Sequence, residues 1–246
     1  PPRSTLDRSS AASDVYKRQI YNRAKYTSKF TVAHADPDVQ ASFPVPNTKA
    51  VDPSNNGSWH CDGLNTAQQI YNTNFKTDDY DFSMECWIYP IGNTIAHVFA
   101  TENVTTGALI AQLGFRDVNS EDCRFLLRSD SGSDYVDLVA PAGTCPVEEW
   151  HHLVGTVDSS TNRSRLFVNG KLVKTGTYSG TRTGTGQLSW MGAMSNASGA
   201  RHFEGHLSNC RLEVGAIAYD YKTTSICEGE IIFTAPSEAL KMTSFT

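Results

Sequence analysis

The sequence lacks the patterns of several common protein classes. No stretch approaches the roughly 20 apolar residues that a bilayer-spanning helix needs, so no membrane span is predicted in the visible chain. Runs of basic residues are also absent from this chain of 246 residues, whose formal net charge is −5. Because nucleic-acid binding depends on basic side chains that neutralise phosphates, no nucleic-acid partner is expected.

The cysteines lack the spacing of a zinc site. None of the six forms a CxxC pair with another, which argues against structural zinc. Cys86 and Cys210 lie inside apolar strand patterns, where a buried thiol behaves as a small hydrophobic group. Cys145 and Cys227 lie in loop-like segments and could form disulfides in an oxidising compartment. The pairing of the cysteines stays open at this stage.

Apolar residues alternate along the chain and turn residues punctuate them, which indicates strands. Residues 81–90, DFSMECWIYP, alternate with period two and predict one core face and one outer face. Residues 148–178 contain two apolar runs joined by a polar loop, followed by Asn169 and Gly170, which suit a type I′ turn. This region therefore predicts a three-stranded meander. About ten strands and no helix are predicted overall, which is typical of an all-β sandwich.

Three segments resemble laminin-G-like, concanavalin A-like lectin/glucanase domains, and they occur in the order found in that family. They are residues 81–90, the WHH of 150–152 with the LFVNGKLV of 166–173, and the FEGHLSNCRLEVGAIAY of 203–219. The resemblance implies a two-sheet antiparallel jelly-roll sandwich. The pattern of residues 208–219, followed by the FTAP of 233–236, resembles a variant seen in viral and marine microbial structural proteins.

The resemblance also suggests a division of the chain. Residues 57–246 are expected to form the jelly-roll domain, in which the role of the 220–232 loop is open. Residues 20–56, rich in Asp, Pro and Asn, are expected to form an arm or linker with one short strand near Lys29–Ala33. Residues 1–19 resemble a translated sequencing adapter and are set aside from the fold, so we expect the natural N-terminus to be missing.

A glycoside hydrolase of this family would need two suitably placed carboxylates. The glucanase relatives carry an E-x-D-x-x-E strand whose two acids lie about 5 Å apart. The nearest pattern here, Asp79, Asp81 and Glu85, has a different spacing, so a non-catalytic protein is predicted and a hydrolase is the less favoured alternative. His151 and His152 are adjacent on a strand and point to opposite faces, which predicts one packed and one surface histidine.

Calcium and glycans are the ligands that the resemblance implies. Many relatives hold Ca²⁺ through carboxylates on loops at the rim of the sandwich, as a hard cation prefers. The candidate ligands are Asp62, Asp78 and Asp79, with Asp130 and Asp134 as further turn acids. A glycan site needs aromatic faces beside polar groups. The candidates for it are Trp59, Trp190, Asn196, Arg201 and His202.

We therefore predict a non-catalytic binding or structural module that contacts other protein subunits of a larger assembly, or glycans. Such a module could be a virion appendage or an accessory subunit of a complex. The alternative is a lectin that binds carbohydrate with or without calcium.

Overall fold

A computed structural model describes most of the predicted domain. The described residues are 28–32, 59–63, 68–72, 80–92, 95–103, 108–116, 122–128, 134–179, 187–193, 201–215, 217 and 226–235. Within these ranges, only the backbone is described at 28–32, 59, 60, 62, 68–72, 134, 135, 187–190 and 209. The adapter-like residues 1–19 lie outside the described residues, so their assignment stays a prediction.

The described part of the chain contains strands and no helix. It therefore has no helix that is long and apolar enough to cross a membrane. The strands are β1 (Ser28–Val32), β2 (Trp59–Asp62), β3 (Gln68–Asn72), β4 (Phe82–Pro90), β5 (His97–Asn103), β6 (Leu109–Phe115), β7 (Cys123–Arg128), β8 (Asp134–Val139), β9 (His151–Asp158), β10 (Arg163–Val168), β11 (Lys171–Thr177), β12 (Gln187–Met191) and β13 (Glu204–Val214).

The strands form two antiparallel sheets. The seven-stranded sheet has the order β1-β13-β4-β9-β10-β11, and β2 also pairs with β13. The six-stranded sheet has the order β3-β12-β5-β6-β7-β8. Neighbouring strands that are distant in sequence, such as β13 and β4, show the crossovers of a jelly roll. The predicted all-β jelly-roll sandwich is confirmed, and the short strand expected near Lys29–Ala33 is found as β1, paired with β13.

The predicted meander consists of β9, β10 and β11. Asn169 and Gly170 have φ angles of 51° and 80°, as the turn prediction requires. The Asn169 side-chain oxygen accepts a hydrogen bond of 2.8 Å from the backbone N–H of His152, which ties the turn to β9. The turn residues therefore close the β10–β11 hairpin and fix its position on the sheet.

The main core lies between the two sheets. Phe82 of β4 meets Phe125 of β7 edge to face, with ring centroids 6.3 Å apart. Gly155 of β9 lies directly beneath the Phe125 ring, and a Cβ at this position would stand 2.3 Å from the ring. The absence of a side chain at Gly155 thus lets the two sheets approach closely around Phe125.

The outer face that the alternation predicts for β4 is covered as well as the core face, since all nine residues of this strand are buried. A second apolar cluster on the outer side of the same sheet explains part of this burial. Val154, Phe167 and Leu172 form it, and the C-terminal strap, which we define as Ile226–Ala235, packs against it with Ile226, Ile232 and Phe233. The outer face of the sheet is therefore a second interface, which the period-two pattern of one strand does not reveal.

Backbone hydrogen bonds hold the C-terminal strap along β11. The N–H of Leu172 donates to the carbonyl of Glu230 at 2.9 Å, and the N–H of Gly229 donates to the carbonyl of Leu172 at 2.8 Å. The N–H of Ile232 donates to the carbonyl of Gly170 at 2.9 Å. The strap thus pairs with part of β11, a strand that would otherwise offer unpaired backbone groups at the edge of the sheet.

Gly170 is required twice at the hairpin turn. Its positive φ suits the turn, and a Cβ on it would stand 1.9 Å from the carbonyl oxygen of Phe233. Gly229 also has a positive φ, of 99°, but a Cβ there would meet nothing within 4 Å. A substitution at Gly229 would therefore introduce backbone strain alone, whereas one at Gly170 would add a collision with the strap.

We expect Gly170→Ala to lower the free energy of unfolding by about 2–4 kcal/mol, because it combines left-handed strain with displacement of Phe233. Gly229→Ala should cost only the strain, about 1 kcal/mol. Urea unfolding of the two variants measures the difference. Equal losses would contradict the proposed collision between Gly170 and the strap.

Candidate ligand-binding site

Glu85 is the first acid to consider, because it belongs to the nearest approach in this sequence to a glucanase acid pattern, Asp79, Asp81 and Glu85. Its side chain is buried, and both carboxylate oxygens have partners. Nε2 of His152 lies 3.0 Å from Oε2, and the Arg211 guanidinium contacts Oε1. The strand register accounts for this contact, since Arg211 of β13 pairs with Glu85 of β4. Glu85 thus belongs to a buried ion network.

Aromatic rings enclose this network on its outer side. The His152 ring packs on Trp87 with centroids 5.1 Å apart, and Phe233 of the strap meets His152 edge-on at 6.1 Å. A buried carboxylate is stable only when it is paired and hydrogen-bonded. The arrangement therefore fits a structural anchor between the sheet and the strap, and it leaves Glu85 no free oxygen for acid/base chemistry.

Asp81, the second described acid of the sequence pattern, is also engaged in a turn. Its Oδ1 accepts hydrogen bonds from the backbone N–H and the hydroxyl of Ser159, at 2.8 and 2.7 Å. These bonds tie the start of β4 to the loop after β9. Asp79 lies outside the described residues. The two acids whose surroundings are visible therefore both serve local structure.

The expectation that one of the two adjacent histidines lies at the surface is wrong. His151 is 3% and His152 0% exposed. The Nε2 atom of His151 lies 2.8 Å from the carbonyl oxygen of Pro146, in the loop before β9. Their opposite directions, as predicted, give the two rings different partners. Phe233 of the strap covers His152, and His151 contacts the loop before β9, so neither ring reaches solvent.

The outer side of the six-stranded sheet carries a different set of groups, here called the polar face. His97 of β5 pairs with Gly114 of β6, and Gly114 pairs with Arg124 of β7. Gln112 lies two residues before Gly114, so both belong to the same face of β6. A Cβ on Gly114 would stand 2.2 Å from the carbonyl oxygen of Ala96 and 2.7 Å from Nε2 of Gln112. Glycine therefore lets the Ala96 carbonyl and the Gln112 amide pack closely against β6.

Several polar atoms of this face are buried without a hydrogen-bond partner. Both ring nitrogens of His97 and both side-chain polar atoms of Gln112 are in this state, and each residue is 1% exposed. Nδ1 of His202 is a further unpartnered buried atom. Buried polar groups normally have a partner in the protein, in ordered water or in a ligand. The polar face therefore has unused capacity to bind a polar molecule.

Arg124 is the cation of the polar face, and it is firmly oriented. Its Nε and Nη2 donate to the two carboxylate oxygens of Asp137 on β8, at 3.0 and 2.9 Å. Such a two-bonded pair fixes the plane of the guanidinium. Gln112 on the neighbouring strand β6 pairs with Ala100 of β5 on one side and with Leu126 of β7 on the other. The face thus combines polar groups with a small buried apolar cluster formed by Ala100, Leu109 and Leu126.

Two of the five residues predicted to bind a glycan lie at one end of the polar face. The carbonyl of Arg201 accepts a hydrogen bond of 2.9 Å from the N–H of His97, and His202 forms an isolated β-bridge with His97. Arg201 is exposed and has a φ of 54°, a strained value for a residue with a side chain. Strain of this kind is common at binding sites, although it does not establish one.

The structure describes only the backbone, or nothing, of the other residues predicted to bind a glycan. Trp190 of β12 pairs with Ala100 and is therefore in register with the row that contains Gln112, but its side chain is not described. Trp59 lies in β2, on the other sheet, also without a described side chain. Asn196 lies outside the described residues. Sequence reasoning missed His97, Gln112 and Arg124, since isolated polar residues within strands carry no recognisable motif.

The predicted calcium site is not tested by the described residues. Among them, no group of three or more His, Cys, Asp or Glu residues could hold a metal ion. The predicted ligands lie outside that set, because Asp78, Asp79 and Asp130 are not described, and Asp62 and Asp134 are described only in their backbone. Calcium therefore stays a prediction.

The charges around His97 influence its protonation. Burial first, and then the guanidinium charges of Arg201, Arg124 and Arg128, lower the pKa of His97 from 6.5 to about 3. The imidazole is therefore neutral at ordinary pH. A neutral imidazole carries one N–H donor and one acceptor nitrogen, which adds one of each to the unfilled groups of the polar face.

Comparison with known families agrees with this architecture. Residues 62–217 match the family Laminin_G_3, described as the concanavalin A-like lectin/glucanases superfamily. The match covers more than half of the chain, and the protein belongs to this family. The description covers both lectins and glucanases, so family membership allows either a binding module or a hydrolase. A search of the curated proteins finds no significant match.

Several solved structures share features of the fold. The chain is similar to the CBM40 of the Ruminococcus gnavus IT-sialidase bound to α2,3-sialyllactose, with 18% identity, 64% of this chain and 95% of that chain covered, and a TM-score of 0.46. It is also similar to domains LG4-5 of the mouse laminin α1 chain, with 14% identity, 63% of this chain and 40% of that chain covered, and a TM-score of 0.48. A third similar structure is the heptameric SAP-like pentraxin from Limulus polyphemus, with 12% identity, 60% of this chain and 76% of that chain covered, and a TM-score of 0.41. At such low identities and TM-scores, these structures support no conclusion about the ligand or activity of this chain.

The depressed pKa of His97 predicts a loss of stability in acid. Between pH 6.5 and about 3, the unfolded chain binds a proton at His97 that the folded chain does not bind. The free energy of unfolding should therefore fall as the pH drops below 6.5, by about 2 kcal/mol from this residue at pH 5. Denaturant unfolding of wild type and His97→Gln between pH 4 and 7 measures this, and parallel curves would contradict the assignment.

Proposed function

We propose that this protein is a non-catalytic binding module whose ligand is a glycan held at the polar face. The observation that carries the proposal is the set of buried, unpartnered polar atoms of His97 and Gln112. Buried polar atoms normally have a hydrogen-bond partner in the protein, in ordered water or in a ligand. A bound polar molecule would satisfy them.

The chemistry of these groups suits sugar hydroxyls. Neutral His97 and the Gln112 amide each offer both donors and acceptors. A hydroxyl group both donates and accepts, so it can pair with either side chain. The buried apolar cluster of Ala100, Leu109 and Leu126 lies beside them, and ligand sites combine apolar walls with a few polar groups.

The geometry suggests how a ligand would approach the polar face. Arg201 at one end and Asp137 at the other are exposed, whereas the groups between them are buried. Three arginines influence His97, although the whole chain is acidic. Neutral and acidic glycans should therefore be compared, and acidic sugars would gain from the exposed guanidinium of Arg201.

The contacts of the two described acids of the sequence pattern support a non-catalytic role. Glycoside hydrolysis needs one carboxyl that protonates the leaving group and a second that acts as nucleophile or base. Glu85 is enclosed and paired with Arg211, and Asp81 is bonded to Ser159. Neither is arranged to meet a substrate. The hydrolase alternative would require β-glucan cleavage that Glu85→Gln abolishes.

Contact with protein subunits of a larger assembly is the second candidate function. One observation favours it, namely that Ile231 of the strap is 77% exposed. It borders a groove of about 720 Å³ that Val168 and Leu172 also line. An exposed apolar side chain beside a groove is a common feature of protein contacts. Native protein that elutes within a large particle, and an Ile231→Asp variant that does not, would favour this role.

We expect Gln112→Met and Arg201→Ala each to weaken glycan binding about tenfold, because a lost hydrogen bond to a buried or charged group costs about 1.4 kcal/mol or more. Lys174→Ala, on the other sheet, is the matched control for the removal of a charge. A glycan array with and without EDTA would identify the ligand and also test for calcium. Titration calorimetry would then compare the variants.

The proposal for the polar face fails if the array finds no glycan. It also fails if a glycan is found and both variants bind it as wild type does. In the second case the ligand would bind elsewhere, and ordered water would be the partner of Gln112.

We also expect Glu85→Gln to lower the free energy of unfolding by about 3 kcal/mol, because it leaves Arg211 without its buried counter-charge. Glu228→Gln is the matched control, since the exposed Lys174–Glu228 pair, 3.5 Å apart, should contribute less than about 1 kcal/mol. Urea unfolding of both variants tests the structural role. A fully stable Glu85→Gln protein would contradict it.

A further inference from the structure

Two of the free cysteines lie opposite each other on neighbouring strands of the seven-stranded sheet. On β4 and β13, Trp87 pairs with Ser208 and Glu85 pairs with Arg211. The register shifts between these two pairs, because β13 has an additional residue there. Cys86 on β4 therefore faces the irregular segment of β13 that contains Cys210.

The thiol of Cys86 is directed towards that segment. Its Sγ lies 3.6 Å from the carbonyl oxygen of Ser208, across the strand pair. Cys86 and Cys210 are both buried in the main core, so they share the inner face of the sheet. Burial raises the pKa of the Cys86 thiol, and the hydrogen bond with Cys210 and the charge of that thiol raise it further.

Their relative position suits a covalent bond. Opposed residues of antiparallel strands have Cα atoms about 4.5–5.5 Å apart, which lies within the range of about 4.4–6.8 Å found in disulfides. Of the other cysteines, Cys61 pairs with Gly205, further along β13, Cys123 belongs to the six-stranded sheet, and Cys145 lies in the loop between β8 and β9. Cys227 is on the exposed strap. No other described pair is opposed across neighbouring strands in this way.

We propose that Cys86 and Cys210 form a cross-strand disulfide when the chain folds under oxidising conditions. In this reaction each thiol loses its proton and one S–S bond forms between the two sulfurs. The two electrons reduce a small disulfide such as oxidised glutathione to two thiols. No other reactant is needed.

The timing of the bond follows from the burial of the thiols. The thiolate is the attacking species, and an enclosed thiol with a raised pKa is a poor nucleophile. The folded, reduced protein should therefore resist oxidised glutathione, whereas the refolding chain should react with it. The presence of the disulfide would then indicate that the chain folded in an oxidising compartment.

The disulfide would act on the ion network behind it. Glu85 directly precedes Cys86, and Arg211 directly follows Cys210, with their side chains on the outer face. A bond across the strand pair would fix the register of the bulge and so hold Arg211 against Glu85. It would also close a loop of about 120 residues, and long loops give the largest stabilisation in the chain-entropy model.

The experiment refolds the full chain with a mixture of reduced and oxidised glutathione and then counts thiols in denaturant. We expect four of the six cysteines to remain reactive, and a non-reducing digest should contain one peptide pair joined through Cys86 and Cys210. The oxidised protein should melt about 5–15 °C above the reduced protein. Cys123→Ala should retain this difference, and Cys210→Ala should lose it.

If a variant fails to fold, the thiol count and the non-reducing digest of the wild-type protein still test the proposal. Six reactive thiols after oxidative refolding would overturn it. Linked peptides that join other cysteines, or glutathione attached to Cys86, would also overturn it. Rapid oxidation of the folded, reduced protein would contradict the inferred timing.

Discussion

The burial of one carboxylate is the constraint on which much of this structure depends. Glu85 lies at the centre of the seven-stranded sheet and is stable there only because Arg211 and His152 bind its oxygens. The bulge in β13 sets Arg211 opposite Glu85, and Phe233 of the C-terminal strap covers His152. Sheet register, ion pairing and strap docking are therefore coupled through a single charged group.

The two sheets consequently have different roles. The outer side of the seven-stranded sheet is sealed where the strap packs on Val154, Phe167 and Leu172, and this seal adds apolar burial beyond the core between the sheets. Buried polar atoms without a hydrogen-bond partner occur on both sheets, for example Trp87 Nε1 and Thr156 Oγ1 on the first and those of His97 and Gln112 on the second. Those of His97 and Gln112 share their face with the Arg124–Asp137 pair, and the exposed Arg201 contacts His97, which is why we propose the second sheet for the ligand.

Local sequence could not predict what covers the outer side of the seven-stranded sheet. The alternation of β4 correctly separates two faces, but Phe233, which covers His152 on the outer side, lies far away in sequence. The surface position expected for one of the two adjacent histidines rests on the same local grounds, and both are in fact buried. The partners of Glu85 were likewise invisible, since its contact with Arg211 depends on a bulge 126 residues later. Local periodicity reports direction, whereas burial is a property of the assembled sandwich.

The sequence by itself determined the all-β class, the meander of β9–β11 and the turn at Asn169 and Gly170, because strand period and turn chemistry are local properties. It also identified Arg201 and His202 as candidates for the site. Only the tertiary structure decided that these two lie beside His97, and that Cys86 faces the segment holding Cys210. These neighbours come from strands far apart in the chain, and their contacts exist only once the two sheets have taken their order and register.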